Sequence, residues 1–260
     1  MKTKKPLKFM LAALLVLLIA LLGLKPGYYL FRELEYRFGE PTPAEQAVHA
    51  YAGEMGISYG RYPKDLIELL DGNPETRDFV LNYPFRKAIS LELSAYKEDA
   101  VPLFLQWDPM WGYEEYGSSY LAVTGCGPTC LAMVGYSLTG DEGMNPKAIA
   151  EYAEKNGYYA PGYGSSWTLI SEGAEKLGLT ARELPLVKKK MVDALEAGTP
   201  IILAMGKGDF TTTGHYIVLT GWTGEAFRVN DPNSRENSQK LWTYEQLEGQ
   251  IRNIWAIATN

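Results

Sequence analysis

The chain has 260 residues and a mass of 29.0 kDa, of which 46% are hydrophobic and 22% charged, so wholesale disorder is excluded. Five lysines and no acid lie in residues 1–25, which leaves 20 basic and 31 acidic residues from position 26 onward, a net charge of −11. A body this acidic is a poor candidate for binding nucleic acid, and we expect no such partner. Two cysteines cannot form a disulfide framework or a cysteine-only metal site.

A lysine-flanked apolar run opens the chain over residues 9–24. As a helix it would span roughly 24 Å at about 1.5 Å per residue, somewhat short of a hydrocarbon core of about 30 Å. The lysines favour a cytoplasmic start, with everything after the run outside. No small-x-small cleavage site closes the run. Residues 1–25 are therefore predicted to be a cytoplasmic tail and single-pass transmembrane anchor. A cleaved signal peptide and a buried N-terminal helix are the alternatives.

Residues 26–100 are rich in helix-start signals and are predicted to form a helical stalk. Thr42, Pro43 and Glu45 have the spacing of a capping box with proline at the first helical position. Asn73-Pro74 predicts a second helix that ends near residue 82, and residues 63–70 predict a short one. An equally good interpretation assigns this region to the main domain.

Residues 101–260 are predicted to be the main domain, with helices first and strands afterwards, which is an α+β pattern. A strand is predicted over residues 101–106, followed by an aromatic loop over residues 107–120. Glycine and capping signals predict helices over residues 128–138, 146–157, 167–177 and 188–197, and apolar runs predict strands over residues 200–205, 215–222, 226–230 and 253–259, with a helical turn over residues 244–250.

Cys126 is the first of three places where chemistry is plausible. Glycines flank it, and Pro128 lies in the first turn of the helix that follows. The sulfur is thereby placed at a helix N-terminus, where free N–H groups and the dipole favour the thiolate. A thiolate is the nucleophile needed to attack a carbonyl group. The alternative is a small buried cysteine in a turn.

His215 and Asp231 are the other two places. His215 begins an apolar strand beside a glycine- and threonine-rich loop, and Asp231 directly follows another strand. Each has an ordinary structural explanation, a hydrogen-bonded histidine and an Asp-Pro turn. Together with Cys126 they would supply a nucleophile, a base and an orienting acid. Gln106 could donate its side-chain amide to an oxyanion, together with the backbone N–H of Cys126.

The same atoms could instead bind a metal ion. Cys126, Cys130, His215 and Asp231 would be four zinc ligands, but the four-residue cysteine spacing at a proline-containing helix start is unlike a Cys-x-x-Cys knuckle. We therefore expect no metal and no cofactor, and Cys130 is predicted to point into the core.

Several spaced motifs resemble the C39-like family of bacterial cysteine peptidases. They are LQWDPMWG (105–112), GCGPT (125–129), LAMV (131–134), GHYIVL (214–219) and VNDPNS (229–234). The resemblance covers about residues 101–259 and implies a papain-like fold, in which a helix bearing the nucleophile packs on an antiparallel sheet bearing histidine and aspartate. It implies that Cys126 is the nucleophile, His215 the base and Asp231 the orienting acid. In transporter-linked relatives the oxyanion glutamine lies much closer to the cysteine than Gln106 does here.

These observations favour an extracytoplasmic, membrane-anchored cysteine peptidase. Its expected partners are a peptide or cell-wall peptide substrate and the membrane. A transpeptidase or amidase with the same triad is the first alternative, and a non-catalytic binding module of the same fold is the second. Residues 1–100 contain no ATP-binding cassette motif, so a peptide exporter is not indicated.

Overall fold

The computed structural model describes residues 5–96, 100–162 and 164–259. Lys2 and Lys4, which contribute to the charge asymmetry of the N-terminal segment, lie outside the described residues. The chain divides into two compact units, Met1–Arg86 and Lys87–Asn260. The boundary between stalk and main domain at residue 100 stays a prediction.

Helices form the first unit. They are α1 (Lys5–Leu22), α2 (Leu24–Phe38), α3 (Pro43–Glu54), α4 (Lys64–Gly72) and α5 (Arg77–Asn82). The capping box predicted for α3 is confirmed, because the Glu45 backbone N–H donates to the Thr42 hydroxyl and the Thr42 N–H donates to the Glu45 carboxylate. The helix predicted after Asn73 begins as a 3-10 turn, Pro74–Thr76, before α5 continues it.

Helix α1 covers most of the predicted membrane segment but ends at Leu22, where Gly23 takes φ 84° and α2 begins. A Cβ on Gly27 would lie 2.8 Å from the Leu18 backbone, so the two helices meet at a close bend that requires glycine. The apolar part of α1, residues 9–22, is about 21 Å long at about 1.5 Å per residue, less than the hydrocarbon core of about 30 Å. Among the described residues no helix is long and apolar enough to span a membrane, and the predicted transmembrane helix is therefore not supported.

Antiparallel strands organise the second unit. Two short hairpins pair β1 (Glu115–Tyr116) with β2 (Ser119–Tyr120) and β3 (Tyr159–Ala160) with β4 (Gly164–Ser165). The main sheet contains β5 (Leu179–Glu183), β6 (Ile201–Met205), β7 (His215–Trp222), β8 (Phe227–Asn230), β9 (Leu241–Trp242) and β10 (Ile251–Thr259). Its six strands lie in the order β5-β10-β6-β7-β8-β9, and every neighbouring pair is antiparallel.

The helices of the second unit include the four that the sequence predicted. They are α6 (Leu121–Thr124), α7 (Cys126–Thr139), α8 (Pro146–Lys155), α9 (Ala174–Lys176), α10 (Lys188–Glu196), α11 (Arg235–Gln239) and α12 (Tyr244–Leu247). The helix predicted over residues 167–177 differs in kind, because its first part is a π-helical turn, Leu169–Gly173.

Side chains of the central strands alternate between two cores, as the two-residue period of a strand requires. Ile202 and Val218 belong to a core that includes Leu131 of α7. Leu203 and its cross-strand partner Ile217 belong to a second core, which includes Met191 of α10. Both faces of the sheet are therefore covered by helices, which explains the continuous apolar runs in β6 and β7. The predicted combination of helices and antiparallel sheet is confirmed.

The strand predicted over residues 101–106 does not form. The Gln106 backbone N–H donates to the Pro232 carbonyl at 2.8 Å, and the Asn230 side-chain amide donates to the carbonyls of Val101 and Pro102 at 3.1 and 3.0 Å. Pro102 has no N–H to donate, so this segment is held against the end of β8 by single hydrogen bonds instead of a regular ladder.

Candidate active site

Cys126 is the first residue of α7 and is half-buried. The residues on either side of Cys126 are glycines because a side chain at either position would clash with its surroundings. A Cβ on Gly125 would lie 2.4 Å from the Leu121 carbonyl oxygen, and one on Gly127 would lie 2.8 Å from the Ser165 side chain. The chain can therefore turn from α6 into α7 and bring β4 against the helix start. The sulfur lies at the positive end of α7, whose first N–H groups have no partner within the helix.

His215 and Asp231 meet because of the strand register. β7 and β8 pair with Val218 opposite Asn230, so the residue that begins β7 and the residue that follows β8 lie at the same end of the sheet. His215 Nε2 lies 2.7 Å from Asp231 Oδ1. Cys126 is a close neighbour of the same imidazole, and the two residues line one cleft.

Further hydrogen bonds fix the Asp231 carboxylate. The Asn233 backbone N–H donates to Oδ1 and the Asn237 side-chain amide donates to Oδ2, both at 2.9 Å. The Ser238 hydroxyl accepts from the Asp231 backbone N–H at 2.9 Å. The carboxylate is almost fully buried, and these donors replace the water that it loses on folding.

The charge of Asp231 controls the protonation of His215. Burial by itself lowers the pKa of His215, but the charge and hydrogen bond of Asp231, with a smaller contribution from Cys126, raise that pKa to about 10. The imidazole is therefore protonated at neutral pH, and an imidazolium stands beside the Cys126 sulfur.

Gln106 is buried, and its side-chain Nε2 donates to the Ala122 carbonyl at 2.7 Å. A primary amide has a second N–H, so this bond leaves one donor over. The Gln106 Oε1 atom is buried without a hydrogen-bond partner. Gln106 is outside the group of residues that line the cleft at Cys126, and its role as an oxyanion donor stays a prediction.

Cys130 lies one turn beyond Cys126 on α7 and is completely buried, as predicted. Burial raises the pKa of its thiol. Among the described residues no group of three or more histidine, cysteine and acidic side chains is arranged to hold a metal ion.

An open cleft of about 300 Å³ leads to the Cys126 sulfur. Its lining comes from the α7 start, the β4 region, the loop between β6 and β7, and β10, and it consists of Cys126, Ser165, Trp167, Ala204, Met205, Gly206, Lys207, Thr213, Gly214, His215, Tyr216 and Arg252. Asp231 is 1% exposed and does not line this surface, and its carboxylate contacts the His215 imidazole.

Sequence reasoning missed several residues around the site. Asn237, which holds Asp231, lies in α11, and that helix was not predicted. Ser234 caps α11 by accepting from the Asn237 backbone N–H, and a serine at this spacing is a helix-start signal that could have indicated it. Trp107 donates to the Asn233 carbonyl at 3.0 Å, and its ring is covered by the Arg235 guanidinium at 4.5 Å. This stack covers the loop that carries Asp231.

The chain is similar to known proteins in sequence and in structure. The model of the Peptidase_C39 like family matches residues 98–260. No curated protein matches the chain. Similar solved structures include the peptidase domain of Streptococcus ComA, a bi-functional ABC transporter involved in a quorum sensing pathway, with 21% identity, a TM-score of 0.42 and coverage of 53% of this chain and 93% of that one. A C39-like peptidase from Bacillus anthracis has 17% identity, a TM-score of 0.35 and coverage of 60% and 94%.

The family match spans more than half of the chain and contains Cys126, His215 and Asp231. It agrees with the resemblance noted in the sequence motifs. This chain belongs to the Peptidase_C39 like family of proteins.

Proposed function

We propose that the chain is a cysteine peptidase that hydrolyses peptide bonds through a thioester formed on Cys126. One observation carries the proposal: Cys126 and His215 line the same open cleft, Cys126 is close enough to the His215 imidazole to raise its pKa, and His215 Nε2 lies 2.7 Å from Asp231 Oδ1. This is the order of nucleophile, base and orienting acid that acyl transfer requires.

Acylation uses Cys126 as the nucleophile and His215 as the proton donor. The Cys126 thiolate attacks the peptide carbonyl carbon and forms an S–C bond, which places negative charge on the carbonyl oxygen. The N–H groups at the start of α7 are available to this oxyanion, and the remaining Gln106 N–H is the side-chain candidate. His215 then transfers its proton to the departing amine nitrogen as the C–N bond breaks.

Deacylation returns the site to its starting state. The now neutral His215 takes a proton from water, the resulting hydroxide attacks the thioester carbon, and the S–C bond breaks to release a carboxylic acid. Cys126 leaves as a thiolate beside the reprotonated His215. Asp231 stabilises the imidazolium at both ends of the cycle and keeps Nε2 protonated, so that Nδ1 faces the reaction.

The two cysteines supply a matched test. The purified chain is incubated with a peptide library, and products are identified by mass spectrometry. We expect cleavage by the wild type and by Cys130→Ala, and none by Cys126→Ala. Brief alkylation at neutral pH should label Cys126 and spare the buried Cys130. Equal labelling of both thiols in the folded protein would contradict the nucleophile assignment.

The same assay separates the alternatives. Addition of amine acceptors, with new amide products replacing free acids, would identify a transpeptidase. Selective labelling of Cys126 without turnover of any peptide or amide would favour a binding module of this fold.

We also propose that the body functions outside the cytoplasm, attached through its N-terminal segment. The support is in the sequence: five lysines and no acid in residues 1–25, around an apolar run without a small-x-small cleavage site.

Cells expressing the full chain are fractionated, and the mature N-terminus is sequenced. We expect an intact N-terminus in the membrane fraction. A soluble product that begins after residue 20 would replace attachment by a cleaved signal, and a body resistant to protease shaving of intact cells would contradict the orientation.

A further inference from the structure

The cleft at Cys126 carries positive charge on an otherwise acidic body. Lys207, in the loop after β6, and Arg252, on β10, both line it and are both exposed. Among the described residues that line the cleft there is no aspartate or glutamate. The two cations come from segments 45 positions apart in the chain and meet only because β6 and β10 are neighbours in the sheet.

The guanidinium of Arg252 is held in place. Its Nη1 donates to the backbone carbonyls of Gly249 and Ile251, at 3.1 and 3.0 Å. The rest of the group lies across Gly206, where a Cβ would be 2.5 Å from Arg252 Nε and 2.8 Å from Nη2. The missing side chain at position 206 therefore makes room for the guanidinium at the cleft, and Nε and Nη2 keep donors for a ligand.

The nearest acidic neighbour in sequence does not neutralise this charge. Asp209 lies two residues after Lys207, but its carboxylate accepts from the Gln250 side-chain amide at 2.6 Å and lines a separate groove with Lys240 and Trp242. Neither Lys207 nor Arg252 forms a salt bridge with any of the residues that the structure describes.

An apolar surface completes the cleft. The Trp167 side chain is 49% exposed and lines the cleft beside Cys126, with its ring held edge-to-face against Trp255 at 5.9 Å. A tryptophan face accommodates the methylene part of a side chain, while two cations accommodate its carboxylate. This combination matches a glutamate or aspartate of the substrate better than a lysine or a purely apolar residue.

We propose that Lys207 and Arg252 form an anion subsite that selects peptides with a carboxylate next to the scissile bond. The inference rests on the proposed peptidase function for its substrate, but the charge preference of the cleft can be measured without one. An acidic side chain near the cleavage point is the expected source of the carboxylate, and a free C-terminal carboxylate is the other source that the same cations would accept.

The first experiment uses two alkylating reagents that differ in charge. Iodoacetate is an anion and iodoacetamide is neutral, and with both the Cys126 thiolate forms an S–C bond and expels iodide. We expect the ratio of the iodoacetate rate to the iodoacetamide rate to fall about fivefold in Lys207→Gln and again in Arg252→Gln, as for loss of one unit charge several ångströms from the reagent. The His215 imidazolium is common to all variants, so the change in the ratio isolates the two cations.

Matched controls distinguish charge at the cleft from the total charge of the chain. Lys240→Gln removes one positive charge from the separate groove and should leave the ratio unchanged, and Lys207→Arg should preserve it. Gly206→Ala keeps both charges but displaces the guanidinium, so it should lower the ratio. An equal ratio in wild type, Lys207→Gln and Arg252→Gln would overturn the proposal.

The second experiment uses peptides of one cleavable sequence that carry Glu, Gln or Lys at each position around the scissile bond, with free or amidated C-termini. We expect the wild type to prefer Glu over Gln by about tenfold in kcat/KM at one position, and the double variant Lys207→Gln, Arg252→Gln to lose this preference. A preference that follows the free C-terminus would assign the subsite to the terminal carboxylate. Hydrolysis without any charge preference would refute the subsite and leave the peptidase assignment intact. A charge-dependent alkylation ratio without hydrolysis of any peptide would support the subsite and refute the peptidase assignment.

Discussion

The molecule contains two histidine–carboxylate pairs, which differ in separation, in burial and in the groups around them. His49 Nε2 lies 3.1 Å from Glu33 Oε1 in the first unit, with side chains that are 32% and 24% exposed. His215 and Asp231 lie 2.7 Å apart with exposures of 7% and 1%. Glu33 shares its oxygen with Arg37, and His49 stacks on Tyr36 at 3.9 Å. A histidine paired with a carboxylate is therefore not by itself the mark of an active site. What distinguishes His215 is its second partner.

That second partner is a thiol. Both cysteines of the chain lie in the second unit, and Cys126 lines the cleft with His215 and contributes to the raised pKa of its imidazole. The His49 imidazole instead packs against the rings of Tyr36 and Tyr59. The comparison predicts that changes at the buried pair alter the chemistry, whereas the same changes at the half-buried pair of His49 and Glu33 do not.

Replacement of His215 should have the largest effect. His215→Ala removes both the proton donor and the stabilising cation, so we expect kcat/KM to fall by at least about 10³-fold on a cleaved peptide. His49→Ala, the matched control, should stay within about twofold, because its imidazole contacts no reacting group. Circular dichroism should show both variants folded. Near-normal hydrolysis by His215→Ala would refute the proposed triad.

Replacement of Asp231 should be milder. Asp231→Asn keeps the base but loses the charge that holds the imidazolium and its tautomer, and we expect a loss of about 10²-fold in kcat/KM. Glu33→Gln makes the same change at the half-buried pair and should leave kcat/KM unaltered. Equal kcat/KM values for Asp231→Asn and Glu33→Gln would contradict the role assigned to Asp231.

Titration by NMR can sharpen the comparison directly, since the chain has two histidines and His49→Ala identifies the signal of the other. Because the pKa of His215 is raised to about 10, its imidazole should stay protonated through neutral pH and titrate in the alkaline range. The stability that this proton contributes is complete below the unfolded-state value of about 6.5 and is lost as pH rises through about 10. In Asp231→Asn the midpoint should move to lower pH, and a midpoint near neutrality in the wild type would contradict the ion pair.

The hydrogen bond from Asn237 should have the smallest effect. Asn237→Ala removes the donor to Asp231 Oδ2 but leaves the Asn233 N–H on Oδ1, so the carboxylate is less firmly oriented. We expect a loss of about fivefold in kcat/KM and a small downward shift of the His215 midpoint. Arg37→Ala, which removes the second partner of Glu33, is its counterpart and should change neither. A loss of stability without a shift of the midpoint would make Asn237 a purely structural residue.

Local patterns predicted most of the second unit correctly. The strand that begins at His215 follows from an unbroken apolar run, and helix α8 follows from Asn145 and Pro146, whose capping role is confirmed by the bond from the Ala148 N–H to the Asn145 side chain. Patterns failed where neighbours decide conformation. Residues 101–106 have the pattern of a strand, yet the carbonyls of Val101 and Pro102 accept hydrogen bonds from the Asn230 side chain instead of from a neighbouring strand. Strand β5 is an edge strand with mostly exposed side chains, so no apolar alternation marks it.

The sequence by itself determined the helix that presents Cys126, the strand that begins at His215 and the turn that holds Asp231, because glycine, proline and apolar periodicity act within a few residues. Only the tertiary structure decided how these meet. The 2.7 Å separation of His215 and Asp231 depends on the register of β7 and β8. The hydrogen bond from Asn237 to Asp231 depends on the path of the chain after β8. Lys207 and Arg252 line the same cleft because β6 and β10 are neighbours in the sheet. These are contacts between distant parts of the chain, set by packing of the whole sheet, and no local pattern carries them.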